Sequence, residues 1–295
     1  MTELPDDRAT LDPVAGPLPD DEREDGDRTA TSGARLMLAL RLFTEQQPIW
    51  TVEAAAAALG ISLSSAYRYF RTLVQFGFLD SVEANGCYVL GPAVIEFDRV
   101  VRVSDPLLGA AVPTMRWLAG QVGQSGAVLL CRLYQDKVMC IHEERAGDAA
   151  IALSYERGLP MPMFRGAASK AILASLAPRQ MRRIFDRFAP AIAEAGLGGD
   201  WPSFREGLAP IRKQGYCVVQ GELDPGVTGI SAPLFSARGQ VLGSLSIARH
   251  GALDEVALAR TTGLLIAAAR EIDTAAGNAV RHAGERTAAR AATIP

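Results

Sequence analysis

The sequence predicts an α+β protein with two folded domains: a small helical domain that carries a β-hairpin wing, and a larger domain built on an antiparallel sheet. Three observations support this prediction. The chain has 295 residues, about twice the length of a common domain. Its first half runs in the order helix, short helix, glycine, helix and hairpin, which is typical of a winged helix-turn-helix. Its second half groups strands together, with helices before and after them.

The composition is that of a globular protein with a strongly acidic N-terminal segment. Hydrophobic residues make up 48% of the chain and charged residues 21%, and the net charge is -3. These values exclude wholesale disorder, collagen and a coiled-coil rod. Residues 1–33, however, hold ten acidic residues, three arginines and four prolines. Because such a segment cannot bury enough apolar surface to fold, we predict a disordered acidic tail over residues 1–32.

The sequence predicts a cytoplasmic protein that binds no membrane and no cofactor. No apolar run approaches the length of about 20 residues that a membrane helix needs, and the N-terminus lacks the apolar core of a secretory signal. The four cysteines are scattered without a C-x-x-C spacing, so they predict neither a disulfide framework nor a zinc site. We expect them to be reduced and half-buried.

The first domain is predicted over residues 33–91. Helical spacing of apolar residues predicts a helix over Arg35–Thr44, and Thr51 is a candidate N-cap for a short helix over Val52–Leu59, which a glycine ends. A third helix is predicted over Ser62–Val74. Its predicted apolar face consists of Ala66, Phe70, Leu73 and Val74.

The wing of the first domain is predicted as a β-hairpin after the third helix. The chain leaves that helix through a glycine and enters a strand at Phe78–Asp80. The pair Asn85-Gly86 is a strong signal for a two-residue hairpin turn. The return strand is predicted over Cys87–Leu90.

The third helix carries the candidate DNA-binding residues. Its polar face has hydroxyl and guanidinium donors and no acidic residue; these donors are Ser62, Ser64, Ser65, Tyr67, Arg68 and Arg71. Winged helix-turn-helix proteins place this helix in the major groove, where such groups donate to phosphates and base edges. Charge alone also fits a surface helix with two solvated arginines, because residues 34–91 are neutral overall. The position of the helix directly before a hairpin favours DNA binding.

A linker helix is predicted over residues 92–105 and the second domain over residues 106–278, followed by a flexible C-terminal tail over residues 279–295. The predicted helices of the second domain are Leu107–Gln121, Ala167–Leu176, Pro178–Phe188, Pro202–Gln214 and a long helix from Leu253 that frays by Arg281. Its predicted strands are Ala127–Leu133, Lys137–Glu143, Tyr216–Gln220, Val227–Phe235 and Val241–Ala248.

Two ordered sets of motifs make the chain resemble the IclR-type bacterial transcription regulators. In the first half these motifs are Gly60–Leu73, Gly77–Leu79 and Tyr88–Gly91. In the second half they are Pro162-Met163, Ser169–Ala174, Gly215-Tyr216, Gly221-Glu222, Gly226-Val227, Ile230–Phe235 and Gly239. The match runs from about residue 33 to residue 275. The resemblance implies a winged helix-turn-helix joined to a GAF-like effector-binding domain, and the function of a ligand-responsive repressor or activator.

The turn from Gly166 to Lys170 is the candidate effector site. Small residues let a ligand approach the backbone, a helix N-terminus offers N–H groups to an anion, and Arg165 could hold a carboxylate. Alternatively, the small residues only let the helix pack against the sheet. The resemblance implies a pocket that also uses the strands near Gly229 and Ser246. The candidate effector-binding residues are Met163, Phe164, Arg165, Ala167, Ala168, Ser169, Val219, Gly229, Ser231 and Ser246, with Ile230 as a further wall.

The expected partners are double-stranded operator DNA, a small organic acid and further copies of the chain. Pocket positions that carry polar side chains in some members of the family hold Val219, Gly229 and Ala248 here. These residues favour an apolar or aromatic acid as the effector, and we expect the chain to control a catabolic operon. The linker helix has more apolar residues than one buried stripe needs, and its candidate dimer contacts are Val94, Phe97 and Val101. The resemblance implies dimers through the N-terminal half and tetramers through the effector domains.

Two alternative functions stay open at this point. One is an enzyme whose helical domain only dimerises, although the sequence shows no nucleophile–base motif, and we expect no catalytic residue. His142 lacks the second histidine of a metal-binding helix, so we also expect no metal. We expect Glu222 and Asp224, which glycines flank, to be turn residues. The other alternative is a regulator that responds to a protein partner and senses no small molecule.

Overall fold

The computed structural model describes residues 31–82, 86–123, 126–145 and 153–291, with the side chains of residues 282–291 excepted. Residues 1–30 of the predicted acidic tail and the last four residues of the predicted C-terminal tail lie outside the described residues. The chain divides into two compact units, with the boundary between Ser104 and Asp105.

The first unit has, among its described residues, four helices and three short strands. The helices are α1 (Ser32–Arg41), α2 (Val52–Leu59), α3 (Leu63–Gln75) and α4 (Ala93–Ser104); the strands are β1 (Trp50–Thr51), β2 (Leu79–Val82) and β3 (Cys87–Leu90). The strands form an antiparallel sheet in the order β1-β3-β2. Strand β1 was not predicted, because two residues are too few for a periodic signal.

The ends of α2 and the start of α3 follow from local capping. Thr51 Oγ1 accepts a hydrogen bond from the Ala54 N–H at 3.2 Å, and Gly60 ends α2 at φ +63°, which confirms both predicted ends. Ser62 was predicted inside the third helix. It is the N-cap instead, because its Oγ accepts from the Ser65 N–H at 3.3 Å.

The core of the first unit is centred on one face of α3. Ala66, Tyr69, Phe70 and Leu73 are at most 5% exposed and follow the i, i+3, i+4, i+7 spacing of a single buried stripe. The prediction that Val74 belongs to this face is wrong, since its side chain is 38% exposed. It lies one position beyond the edge of the stripe.

The wing is an antiparallel hairpin of β2 and β3. Val82 pairs with Cys87, so four residues join the strands, two more than the predicted turn has; Asn85 lies outside the described residues. At the other end of the hairpin the backbones come very close. A Cβ atom on Gly91 would overlap the Gly77 carbonyl oxygen, so this position requires glycine.

The second unit is a six-stranded antiparallel sheet with helices on both faces. Its helices are α5 (Pro106–Val122), α6 (Ala167–Ser175), α7 (Pro178–Glu194), α8 (Trp201–Gln214) and α9 (Glu255–Ala291). Its strands are β4 (Gly126–Tyr134), β5 (Lys137–Arg145), β6 (Pro160–Pro162), β7 (Cys217–Gln220), β8 (Val227–Phe235) and β9 (Val241–His250). The strand order is β6-β5-β4-β9-β8-β7.

Successive side chains of each strand point to opposite faces of this sheet, because side chains alternate along a strand. Along β8, Ile230 and Ala232 pack with residues of α5 and α9 in one buried cluster. Ser231 points to the opposite face, which α6 covers. The α6 face is therefore the side of the sheet on which the candidate effector residues can meet.

Three differences from the predicted elements of the second unit have local causes. Helix α7 continues to Glu194 but has non-helical angles at Phe188, so the predicted end is a kink inside a longer helix. Strand β6 was not predicted because prolines occupy both of its ends, and proline is normally confined to edge strands. Helix α9 continues to Ala291, past the predicted fraying point at Arg281.

Candidate functional site

The three serines at the start of α3 form a local hydrogen-bonded group. Ser62 Oγ lies 3.1 Å from Ser64 Oγ and donates to Ser65 Oγ at 2.9 Å. The hydroxyls of Ser62 and Ser64 are on exposed residues, whereas Ser65 is half-buried. The structure thus places them at the N-terminus of the helix, where free N–H groups and hydroxyls can face an anion.

The other three candidate DNA-binding residues line one groove. Tyr67, Arg68 and Arg71 lie beside Ser81 of β2 and Tyr88 of β3, around an open volume of about 610 Å³. The Arg68 guanidinium also lies over the Tyr69 ring, 5.4 Å from its centroid. We call these five lining residues, together with Val74, the α3 groove.

Sequence reasoning missed the contribution of the wing to the α3 groove. Ser81 and Tyr88 are direct cross-strand partners, so their side chains share one face of the hairpin. The alternation of polar and apolar residues in the two strands could have placed them together, but not beside α3. That placement depends on how the hairpin folds back against the helix.

A carboxylate from α2 reaches the edge of the α3 groove. The Tyr67 hydroxyl donates a hydrogen bond to Glu53 Oε1 at 2.9 Å. The bond to Glu53 raises the pKa of the Tyr67 phenol. Hydrogen bonding to its own backbone N–H at the helix start, and then to Tyr67, lowers the pKa of Glu53. Glu53 is therefore a charged neighbour of the groove that was not among the predicted site residues.

The candidate dimer residues form an exposed apolar face on α4. The exposed fractions of Val94, Phe97 and Val101 are 36%, 57% and 51%. Phe97 also stacks on Phe78 within the first unit, with ring centroids 5.6 Å apart. An apolar surface of this kind on a helix is typical of protein–protein contact.

The candidate effector residues at the start of α6 are buried. Ala167, Ala168 and Ser169 are at most 5% exposed, and Gly166, the N-cap, supplies no side-chain cap. The first N–H groups of a helix have no partner inside the helix. The backbone here therefore offers donors and a partial positive charge in a site shielded from water.

Tyr155 covers this helix start and was not predicted. Its hydroxyl lies 2.6 Å from Ser169 Oγ and 3.2 Å from the Arg165 carbonyl oxygen, to which it donates. Burial raises the pKa of the Tyr155 phenol well above its usual range, so it is a neutral hydrogen-bonding group. A Cβ atom on Gly166 would approach its ring closely.

Two serines of the sheet face the same region. Ser231 Oγ and Ser246 Oγ lie 2.8 Å apart on paired strands, and Ser231 Oγ also donates to the Leu245 carbonyl at 3.3 Å. A Cβ atom placed on Gly229 would lie 3.4 Å from both Ala167 Cβ and a methyl group of Val219. Helix α6 and the sheet are thus in close contact here.

We call this region the α6 site; it consists of Ala167, Ala168, Ser169, Val219, Gly229, Ser231 and Ser246. Met163 and Phe164 are buried next to α6 in the same apolar cluster as Ala168, and Arg165 is half-buried. Ile230 is not part of the site. The prediction that it forms a wall is wrong, because strand alternation directs its side chain to the opposite face of the sheet.

Two polar contacts join the loop before β8 to the surroundings of α6. Lys170 Nζ donates to Glu222 at 2.8 Å, with both side chains largely buried. Both carboxylate oxygens of Asp224 accept from Ser154. Glu222 and Asp224 lie in the loop before β8, as predicted, and their side chains also tie that loop to neighbouring segments.

Two other classes of site concern residues 31–82, 86–123, 126–145 and 153–291, namely a metal centre and a membrane-spanning helix. No group of three or more His, Cys, Asp or Glu side chains in these ranges is arranged to hold a metal ion. Within the same ranges, no helix combines the length and the apolar character that crossing a membrane needs.

The chain matches two family models and several relatives across most of its length. Residues 101–274 match "Bacterial transcriptional regulator IclR C-terminal" and residues 34–83 match "IclR helix-turn-helix domain". The Pca regulon regulatory protein of Pseudomonas putida is 25% identical over 244 residues, which cover 82% of each protein.

Solved structures share the fold. The crystal structure of an IclR transcriptional regulator from Alicyclobacillus acidocaldarius has a TM-score of 0.68 at 24% identity, covering 83% of this chain and 98% of that one. An IclR homologue from Microbacterium hydrocarbonoxydans, complexed with 4-hydroxybenzoate, has a TM-score of 0.65 at 22% identity, covering 83% and 99%. Since one family model alone matches more than half of the residues, the chain belongs to the IclR family of ligand-responsive, DNA-binding transcription regulators, a family that is not enzymatic.

Proposed function

We propose that the chain controls a catabolic operon by binding operator DNA through the α3 groove, and that a small organic acid at the α6 site changes this binding. Aromatic acids are the class of effector that we favour. The single observation that carries the DNA-binding part is the meeting of Tyr67, Arg68 and Arg71 with two wing residues in one open groove. Guanidinium groups in such a position donate to phosphates and to guanine edges.

The chemistry of the α6 site supports an acid as the effector. The uncapped helix start provides backbone donors for a carboxylate, and the hydroxyls of Ser231 and Ser246 provide further polar contacts. The neighbouring residues Met163, Phe164 and Val219 are apolar, which suits an aromatic or branched body. A structural relative complexed with 4-hydroxybenzoate, an aromatic acid, agrees with this class.

The apolar face of α4 supports assembly into a dimer, with a homotetramer as the next level. One winged helix makes too few base contacts for genomic specificity, so two half-sites are expected. The exposed Val94, Phe97 and Val101 give the surface for this contact. A ligand at the α6 site would act on DNA by favouring one dimer geometry over another, which requires unequal affinity for the two.

A binding experiment with paired ligands tests the proposal. A duplex selected from a random pool by the full chain is labelled, and its affinity is measured by fluorescence anisotropy at about 0.15 M salt. Aromatic and aliphatic acids are added, each beside its neutral amide. We expect at least one acid, and not its amide, to change the DNA affinity by about fivefold or more, within the usual range of allosteric coupling. If no acid changes either the DNA affinity or the melting temperature, the effector part is wrong.

A further inference from the structure

Two cysteines face each other across neighbouring strands beneath α6. Cys131 of β4 pairs directly with Cys140 of β5, next to a shift in the register of the two strands. Both are fully buried, in the same apolar cluster as Tyr155 and Ala168. Neither residue has a role in DNA binding or at the α6 site, and the prediction of half-buried cysteines is wrong for both.

Residues directly opposite each other in an antiparallel pair have Cβ atoms about 4.5–5.5 Å apart, so the two thiols are neighbours. Their surroundings make them unequal, and the Cys140 thiol donates to the His142 carbonyl oxygen at 3.4 Å. Donation from Cys131, with Arg157 nearby, lowers the pKa of the Cys140 thiol. Burial without such a partner has the opposite effect, since it raises the pKa of Cys217 to about 12. Cys140 is therefore the more reactive thiol of the pair.

A loop runs beside β5 next to Cys140. Residues 153–158 cross β5, where the Gly158 N–H donates to the Cys140 carbonyl and Arg157 Nε donates to the Ile141 carbonyl, both at 2.9 Å. This segment pairs with β5 through an isolated bridge between Cys140 and Arg157, and Ser154 and Tyr155 tie it to other parts of the unit. Loops open locally at a lower free-energy cost than packed helices and strands. Such opening is the route by which a solute of the size of water would reach the thiols.

We propose that Cys131 and Cys140 are a peroxide-reactive thiol pair that forms a reversible intramolecular disulfide. The Cys140 thiolate attacks hydrogen peroxide, so an S–O bond forms, the O–O bond breaks, and the released hydroxide takes a proton and leaves as water. The Cys131 thiol then attacks the Cys140 sulfenic acid. An S–S bond forms, the S–O bond breaks, and a second water leaves with the Cys131 proton. Two electrons pass from the thiols to one peroxide.

The position of the pair connects oxidation to the α6 site. On the other side of Cys131, its strand partner is Ser244, whose hydroxyl lies 3.4 Å from the Ala168 carbonyl. Oxidation therefore changes the packing directly under the start of α6. The expected result is an altered response to the effector, a consequence that rests on the proposed function; formation of the disulfide does not.

Peptide mapping tests the disulfide without any effector or DNA. The folded, reduced full chain is treated with hydrogen peroxide, remaining thiols are alkylated, and the protein is digested with trypsin without reductant. Because Arg132 and Lys137 separate the two cysteines, a disulfide links peptide 117–132 to peptide 138–145. We expect this linked peptide pair from protein that runs as a single chain without reductant. Dithiothreitol should remove the link, and Cys217 should be alkylated.

Matched variants identify the residues involved. Cys140→Ser should abolish the linked species and leave Cys131 free, whereas Cys217→Ser, which removes another buried thiol, should leave the link intact. Absence of the linked species in the folded wild type, or its appearance only in urea, overturns the proposal. A disulfide from Cys131 or Cys140 to Cys217, at a yield equal to that of the Cys131–Cys140 link, also overturns the proposal. A failure here leaves the DNA and effector tests unaffected, because those are measured on the reduced chain.

Discussion

The Tyr67 hydroxyl on α3 donates a 2.9 Å hydrogen bond to the Glu53 carboxylate on α2, beside the groove that contains Arg68 and Arg71. The DNA-binding helix therefore has an anionic neighbour, although its own polar face has no acid. A carboxylate near bound DNA repels phosphates and is favourable only opposite a base amino group such as cytosine N4. Glu53 is expected to reduce affinity for most sequences.

Glu53→Gln should tighten DNA binding by about two- to fivefold, because it removes a repelling charge at an exposed position beside the groove. The gain should shrink as salt is raised. Glu45→Gln is the matched control, since it makes the same change in charge at an exposed residue that does not line the α3 groove. Anisotropy titrations at several salt concentrations measure both. Equal affinity of Glu53→Gln and the wild type at low salt would place Glu53 away from the bound DNA.

Val101→Asp should convert the assembled protein to a monomer at micromolar concentration. The Val101 side chain is 51% exposed on the apolar face of α4, and burying a charge there without a partner costs several kcal/mol. Arg99→Ala on the same helix makes the same change in net charge without touching that face. Light scattering should detect a monomer only for Val101→Asp. A wild type that is already monomeric would remove the proposed interface.

Ala167→Trp should abolish the effector response and spare DNA binding. Ala167 is 5% exposed, and its Cβ lies close to the backbone of Gly229, so the indole must occupy the α6 site. Ala209→Trp, on the exposed side of α8, controls for the added ring. A cooperative thermal melt of the variant shows that the second unit is folded. An undiminished response to the effector would show that the ligand binds elsewhere.

The stability of the second unit should fall as the pH rises through the titration of Asp273. Burial raises the pKa of this carboxyl from 3.8 to about 6, against a hydrogen bond that it accepts from the Phe235 N–H. The folded state thus disfavours the charged form, and the loss develops between 3.8 and about 6. Asp273→Asn keeps the acceptor oxygen and should remove this slope. Because the carboxyl is partly exposed and solvent weakens the effect, we expect Asp273→Asn to raise the free energy of unfolding near neutral pH by about 1 kcal/mol. An unchanged slope in thermal melts would contradict this.

Local signals predicted the elements well, because capping and periodicity are properties of neighbouring residues. The N-cap Thr51, the terminating Gly60 and the strand Val227–Phe235 all lie where the sequence indicates. Short or irregular elements escaped prediction. Strand β1 has two residues, and β6 has proline at both ends, so neither has a periodic pattern.

The contacts of the α3 groove and of the α6 site were harder to predict than the helices and strands, because the residues that meet there lie far apart in the chain. Glu53 and Tyr67 meet only when α2 packs beside α3, and Tyr155 reaches Ser169 from a loop. Ile230 and Ser231 are neighbours in β8, and strand alternation excludes having both side chains on one face. Ser231 is on the α6 side, so Ile230 packs on the opposite side of the sheet.

The central claim is that the chain reads DNA through the α3 groove. The most direct measurement compares the affinity of a selected duplex for the wild type, for Arg68→Ala/Arg71→Ala, and for Arg179→Ala/Arg183→Ala, which removes two exposed arginines of α7. All three are titrated at about 0.15 M salt, with random duplex as competitor. We predict at least a 30-fold loss for the α3 variant, at about 1–3 kcal/mol for each base-contacting arginine, and less than a threefold change for the α7 variant. Equal affinities for the α3 variant and the wild type would contradict the account.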